Sequence, residues 1–186
     1  MRIISGTARG TKLNTLEGEN TRPTLDRVKE PLFSIIQSKI KDSVVLDLFS
    51  GSGALALEAI SRGAKKAILC DKSIDAISII KKNIEKTHCI DKAEVIHRDY
   101  KECLNSIKEK IDMVFIDPPY KLNIAVDALK RIIEKNILTE NAIVVIETDD
   151  EKREIEQINK MEQISIIDLR SYGRVKLIFL SQEKRG

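Results

Sequence analysis

From Val44 to Glu147 the chain alternates short β-branched runs with stretches of helical periodicity, and this alternation limits the folds open to it. Val44–Phe49, Lys66–Asp71, Ala93–His97, Asp112–Asp117 and Asn141–Glu147 have the length and apolar content of buried strands. Helical segments separate them, near Gly53–Arg62, Ser73–Thr87, Lys101–Ile107 and Ile124–Glu134. A strand that returns through a helix runs parallel to its predecessor, with a right-handed crossover. The predicted core is therefore a parallel sheet covered on both faces. A helix at Glu151–Ile158 precedes two more strands, Ile164–Leu169 and Val175–Leu180, joined by Ser171-Tyr172-Gly173-Arg174. That turn predicts an antiparallel hairpin at one edge. The expected fold is α/β: a doubly wound, mostly parallel seven-stranded sheet with an antiparallel C-terminal edge hairpin.

Two features precede this pattern. Arg2–Ile4 and Lys12–Asn14 flank Gly6-Thr7-Ala8-Arg9-Gly10, which predicts a small N-terminal β-hairpin. Val28, Leu32, Ile35 and Ile36 fall on one helical face, and Pro31 inside that pattern is expected to kink or split the helix. Ile74, Ile77, Ile80 and Ile84 are read as another apolar face. The expected organisation is a hairpin extension over 1–20 and one α/β domain over 21–186.

With 33% charged and 42% hydrophobic residues the chain reads as globular, and no run of 18 apolar residues or apolar leader is present. A cytoplasmic location is expected. Cys70, Cys89 and Cys103 show no Cys-x-x-Cys spacing and are read as reduced thiols. With only two histidines, His88 and His97, and no ligand cluster, no metal is expected. Residues 1–41 hold eight Lys/Arg against four Asp/Glu, so the net +3 of the chain is concentrated there. A basic arm on a near-neutral body suits a polyanionic partner, although an ordinary solvated surface has the same composition.

Ligands of such sheets bind at the carboxyl ends of the strands. Asp47-Leu48-Phe49-Ser50-Gly51-Ser52-Gly53 lies at such an end. Gly51 and Gly53 allow a tight turn with close approach to a ligand, though a bare G-x-G also serves as a plain βα connection. Asp71, with Lys72 beside it, closes the next strand, where an acid can bind both hydroxyls of a ribose. Asp99 could accept from an adenine amino group with Tyr100 or Phe49 packing nearby, or simply cap a helix. Asp47 argues for the charge of the cofactor. A carboxylate beside the glycine loop suits the ammonium and sulfonium of S-adenosylmethionine and opposes a pyrophosphate.

The strand ending at Ile116 is followed by Asp117-Pro118-Pro119-Tyr120. Neither proline can donate to a ladder, so the chain leaves the sheet at a rigid corner. A carboxylate and the Pro118 carbonyl can each accept one N–H of an exocyclic amine and stabilise the charge that grows as its nitrogen attacks a methyl group. Tyr120 can stack on the ring and hold it in line.

Together these residues resemble the Rossmann-like class I methyltransferases that modify exocyclic amines. Arg2-Ile3-Ile4-Ser5-Gly6 with Arg9-Gly10, Arg22-Pro23-Thr24-x-Asp26-Arg27-Val28-Lys29-Glu30, and Asp47 to Leu55 are similar to the bacterial RsmD family, which methylates N2 of a guanine in 16S ribosomal RNA. The resemblance spans nearly the whole chain and includes the Tyr172-Gly173 turn. It implies S-adenosylmethionine as donor, a small-subunit particle as substrate and a monomeric enzyme. Asp117, Pro118, Pro119 and Tyr120 would be catalytic. Asp47, Phe49, Ser50, Gly51, Ser52, Gly53, Asp71, Lys72, Asp99 and Tyr100 would hold the cofactor. Arg2, Arg9, Lys12, Arg22, Thr24 and Arg27 would meet RNA, although Arg22 and Arg27 could equally be solvated. Pro31 departs from the family pattern. Two other readings stay open: an amine methyltransferase acting on DNA bases or on glutamine, and a non-catalytic RNA-binding protein.

Overall fold

The computed structural model describes residues 1–16 and 23–182. Seven strands form one sheet: β1 (Val44–Asp47), β2 (Lys66–Asp71), β3 (Ala93–His97), β4 (Ile111–Ile116), β5 (Leu138–Thr148), β6 (Ile164–Tyr172) and β7 (Val175–Gln182). Their order is β3-β2-β1-β4-β5-β7-β6. The first five are parallel, and β7 is antiparallel to both β5 and β6. The doubly wound sheet and the C-terminal hairpin are as expected. The order reverses between β1 and β4, where crossovers leave in opposite directions and open a crevice.

Helices α1 (Pro23–Ile36), α2 (Ala54–Ser61) and α3 (Ile74–Lys86) are joined by α4 (Tyr100–Ser106), α5 (Ala125–Glu134) and α6 (Glu151–Ile158). One core packs Phe33, Leu57, Ile80, Phe115 and Phe179 on the face of the first three helices. The other packs Leu46, Leu104, Leu129, Ile146 and Ile158 on the opposite face. Alternate residues of β4, Phe115 and Ile116, divide between the two, as a central parallel strand requires. Cys70, Cys89 and Cys103 are buried free thiols. Among the described residues, no helix is long and apolar enough to cross a membrane.

Two local expectations are corrected, and a third is narrowed. Helix α1 runs through Pro31 without splitting. The carbonyl that loses its donor belongs to Arg27, an exposed residue. Ile74 is 64% exposed, while Ile77, Ile80 and Ile84 are buried. It opens the first turn of α3. The N-terminal hairpin contains a single antiparallel bridge, Arg2 to Lys12, rather than two strands.

That hairpin is fastened to α2 by charge and by backbone. Glu58 is fully buried and accepts from the N–H groups of Ile4 (2.8 Å) and Ser5 (3.0 Å), from Arg62 Nε (2.7 Å), and pairs with Lys29 Nζ (3.2 Å). Lys29 also donates to the Arg2 carbonyl, and desolvation lowers its pKa against the pull of Glu58. Ser61 Oγ donates to the Ser5 carbonyl (2.6 Å) and accepts from Ala8 N–H (2.9 Å). Ile3, Ala8 and Leu13 enter the first core. Gly6 has φ +84°, and a Cβ there would lie 1.8 Å from the Ser61 carbonyl oxygen. Gly6→Ala is therefore expected to cost about 3 kcal/mol and lower the thermal midpoint by roughly 6–12 °C in calorimetry.

Candidate active site

The loop after β1 is shaped by its neighbours. Ser50 N–H donates to the Cys70 carbonyl (2.9 Å), Ser50 Oγ to the Asp47 carbonyl (2.8 Å), and Gly53 N–H to the Ser50 carbonyl (2.7 Å). Gly53 has φ +79°, and an added Cβ would stand 3.0 Å from Leu69 Cδ2, so the turn requires glycine here. Asp71 closes β2 and clamps the loop: its Oδ2 accepts from Gly51 N–H (2.9 Å) and its Oδ1 from Ser73 N–H (2.9 Å). Each oxygen keeps a second lone pair for a ligand. Asn83, fully buried on α3, donates to the Ser52 carbonyl (2.8 Å) and to the Asn14 carbonyl (3.0 Å), and accepts from Asn14 N–H (2.7 Å). One side chain thus ties the glycine loop to the N-terminal segment, whose Leu16 then forms part of the cavity wall.

A cavity of about 430 Å³ opens at the carboxyl ends of the strands. Phe49, Gly51, Asp71 and Lys72 line one side, Asp99 and Tyr100 another, and Asp117, Pro118, Pro119 and Tyr120 a third. The predicted cofactor residues and the predicted corner therefore share one space. Ser50, Ser52 and Gly53 are buried within the loop instead. Arg2, Arg9, Lys12 and Arg27 are exposed and stand away from the cavity wall. Arg22 and the side chain of Thr24 lie outside the described residues.

Asp99 caps α4, accepting from Lys101 N–H (3.0 Å), and also lines the cavity. Phe49 and Tyr100 lean together, ring centroids 5.4 Å apart at 42°. The Tyr100 hydroxyl donates to Asp127 (2.6 Å), and burial followed by that carboxylate pushes the phenol up to about 12. Asp47 is 1% exposed and lies beneath the loop, not on the wall. Burial pushes its carboxyl up to about 7, against the opposing pull of the Ala56 N–H. Its Oδ2 has no hydrogen-bond partner among the described residues. An orphaned buried acid below a cavity lined by Asp71, Asp99 and Asp117 fits a positively charged ligand better than a phosphate.

At the corner Pro118 is buried, Pro119 is exposed, and Tyr120 opens a 3-10 turn to Leu122. The Tyr120 hydroxyl donates to Glu147 Oε1 (2.7 Å) at the end of β5. Desolvation raises the pKa of both groups, and the charge of Glu147 raises Tyr120 further. Glu147, Asn83 and Leu16 are absent from the site predicted by sequence. Glu147 carried a legible signal, since it closes its strand with an acid just as Asp47 and Asp71 do. Asn83 and Leu16 act through backbone contacts 69 residues apart or through the path of the chain, which no local pattern encodes.

Comparisons with known proteins agree with this geometry. The family described as conserved hypothetical protein 95 matches residues 1–181. The Haemophilus influenzae ribosomal RNA small subunit methyltransferase D is 40% identical over 155 residues, covering 82% of this chain and 80% of that protein. The Escherichia coli (strain K12) protein of the same name is 33% identical over 151 residues, covering 81% and 76%. The solved Escherichia coli yhhF structure superposes with a TM-score of 0.86 at 29% identity, covering 100% of this chain and 99% of that one. The chain belongs to the conserved hypothetical protein 95 family, the RsmD-like methyltransferases.

Proposed function

We propose that the chain transfers the methyl group of S-adenosylmethionine to the exocyclic N2 amine of one guanine in 16S ribosomal RNA. A small-subunit particle in the cytoplasm is the proposed substrate, met by a monomeric enzyme. One observation carries this reading: β1 and β4 are paired neighbours, so the glycine loop and the Asp117 corner open on one cavity. Methyltransferases acting on small-subunit ribosomal RNA among the relatives give the substrate class.

In this reading Phe49 and Tyr100 flank the adenine, with Asp99 at its amino edge. Asp71, with Lys72 beside it, receives the ribose hydroxyls. The Gly51 and Gly53 turn, fixed by Ser50 and Ser52, lets the donor's amino-acid end lie over Asp47. S-adenosylmethionine supplies, when bound, a methyl group on a sulfonium. At the corner the Asp117 carboxylate and the Pro118 carbonyl accept the two N–H groups of the target amine, which concentrates its lone pair on nitrogen. Tyr120 holds the ring, and Pro119 keeps the corner rigid. The bound donor would supply the methyl group, its S–C bond breaking as the N–C bond forms, and the Asp117 corner would hold the nitrogen until its proton leaves for solvent. The base must be extruded to reach this depth. Arg2, Arg9 and Lys12 project from the docked hairpin as phosphate contacts, and Arg22, Thr24 and Arg27 belong to the same proposed RNA face.

The decisive test is mass mapping of methylated nucleotides in 16S RNA from cells with and without this protein. Loss of one N2-methylguanine is expected; an unchanged pattern would refute the assignment. Asp117→Ala should lower the single-turnover rate about 100- to 1,000-fold while calorimetric affinity for S-adenosylmethionine stays within about three-fold. For Asp47, the folded pKa of about 7 lies above an unfolded value of about 3.9, so the native state binds the extra proton between these values. Ligand-free stability relative to Asp47→Asn should therefore fall by up to about 4 kcal/mol as pH rises from 4 to 7, then level off, in urea titrations. Replacing Arg9 and Lys12 together with Ala should reduce the slope of log affinity against log salt by about 1–2.

A further inference from the structure

The corner explains how an amine is activated but not which base supplies it. Adenine, cytosine and guanine all carry one. They differ in the atoms beside it. Guanine N2 lies between N1–H, a donor, and N3, an acceptor; its Watson–Crick side presents the donor. Adenine N6 lies between N1 and N7, and cytosine N4 lies beside N3; these are acceptors. A second carboxylate next to the amine-binding carboxylate would therefore welcome guanine and repel the lone pairs of the other two.

Such a carboxylate is present. Ile116 of β4 and Ile146 of β5 are partners in the parallel ladder, so Asp117 and Glu147 are the next residues along neighbouring strands. Strand spacing places their backbones about 4.8 Å apart at one level of the sheet. Glu147 is half-buried, at the same end of the sheet as the cavity. Tyr120 links the two: it lines the cavity beside Asp117 and reaches Glu147 Oε1 at 2.7 Å. Among the described residues Tyr120 is the donor that reaches this carboxylate, and an ionised carboxylate offers about four acceptor sites.

We infer that Glu147 is a specificity-determining residue: its carboxylate accepts the N1–H of the extruded guanine while the Asp117 corner accepts the N2 amine. This rests on the guanine-N2 reading above. Tyr120 has two duties in this arrangement. Its ring holds the base, and its hydroxyl fixes Glu147 in line with the Watson–Crick edge.

The test separates this inference from that reading. Small-subunit particles are reconstituted with 16S RNA carrying either guanine or 2-aminopurine at the mapped nucleotide. 2-Aminopurine keeps the C2 amine but has a lone pair at N1 in place of N1–H. The wild-type enzyme should methylate guanine about 10- to 100-fold faster than 2-aminopurine, the scale of one well-made base contact. Glu147→Gln keeps a carbonyl for the Tyr120 hydroxyl and adds an N–H for the N1 lone pair. It should lower the guanine rate and raise the 2-aminopurine rate, shifting their ratio by at least 10-fold. A purely structural role for Glu147 would lower both rates together. Equal wild-type rates on the two bases, or a ratio unchanged in Glu147→Gln, would overturn the inference while leaving the guanine-N2 reading intact. No transfer to guanine at all would instead defeat that reading, and this inference with it.

Discussion

The parallel pairing of β1 with β4 is the constraint on which the site depends. Val45, Leu46 and Asp47 are in register with Met113, Val114 and Phe115, and Leu48 N–H donates to the Phe115 carbonyl at 3.1 Å. These strands are about 65 residues apart in sequence, yet their ends deliver the glycine loop and the proline corner to the same crevice. A one-residue slip in this ladder would exchange the faces of every side chain in β4, burying Ile116 where Phe115 belongs. The two aromatic-rich and aliphatic-rich cores fix that register, so packing far below the cavity sets the geometry at its mouth.

Three acids, two buried and one half-buried, show how differently one chain can treat a carboxylate. Glu58 is surrounded by two backbone N–H groups, an arginine and a lysine, and serves to hold the N-terminal segment. Removing one partner from such a cluster leaves a charge with nothing to offset it. Asp47 has an unpartnered oxygen and a strongly raised pKa, which is a costly state for a folded protein without a compensating ligand. Glu147 lies between these extremes, holding one phenol. Satisfaction marks the structural acid, while Asp47 keeps an orphaned oxygen below the cavity.

Most of the architecture was legible because periodicity and β-branched content are local properties. The strands at Lys66–Asp71 and Ala93–His97 and the helix at Glu151–Ile158 match their predicted bounds. The errors arose where tertiary context outweighs local pattern. Pro31 is tolerated within α1, whose residue four positions back, Arg27, is exposed, a fact about packing rather than local sequence. Ile74 fits an apolar stripe but, as the first residue of α3, is left exposed. Within the site, Phe49, Asp71, Asp99 and the Asp117–Tyr120 corner could be read from strand ends and do line the cavity. Asp47 could be singled out as an odd carboxylate, but its depth beneath the loop could not. Glu147 was legible as an acid near a strand end, but its place beside Asp117 follows from the adjacency of β4 and β5, which the strand order reveals.

The buried amide of Asn83 has a consequence for how the molecule is made. Residues 4 to 14 find their partners at Glu58, Ser61 and Asn83, contacts separated by 53 to 69 positions along the chain. Residues 4 to 14 leave the ribosome before these partners and are thus obliged to wait, docking only after α2 and α3 exist. Contacts of such long sequence separation form late, because loop closure must be met before they stabilise anything. The strap is then a latch set at the end of assembly. Until it closes, the Ser52 carbonyl lacks its clamp to the N-terminal segment and Leu16 has not reached the cavity wall, so a partly folded chain has an incomplete cavity.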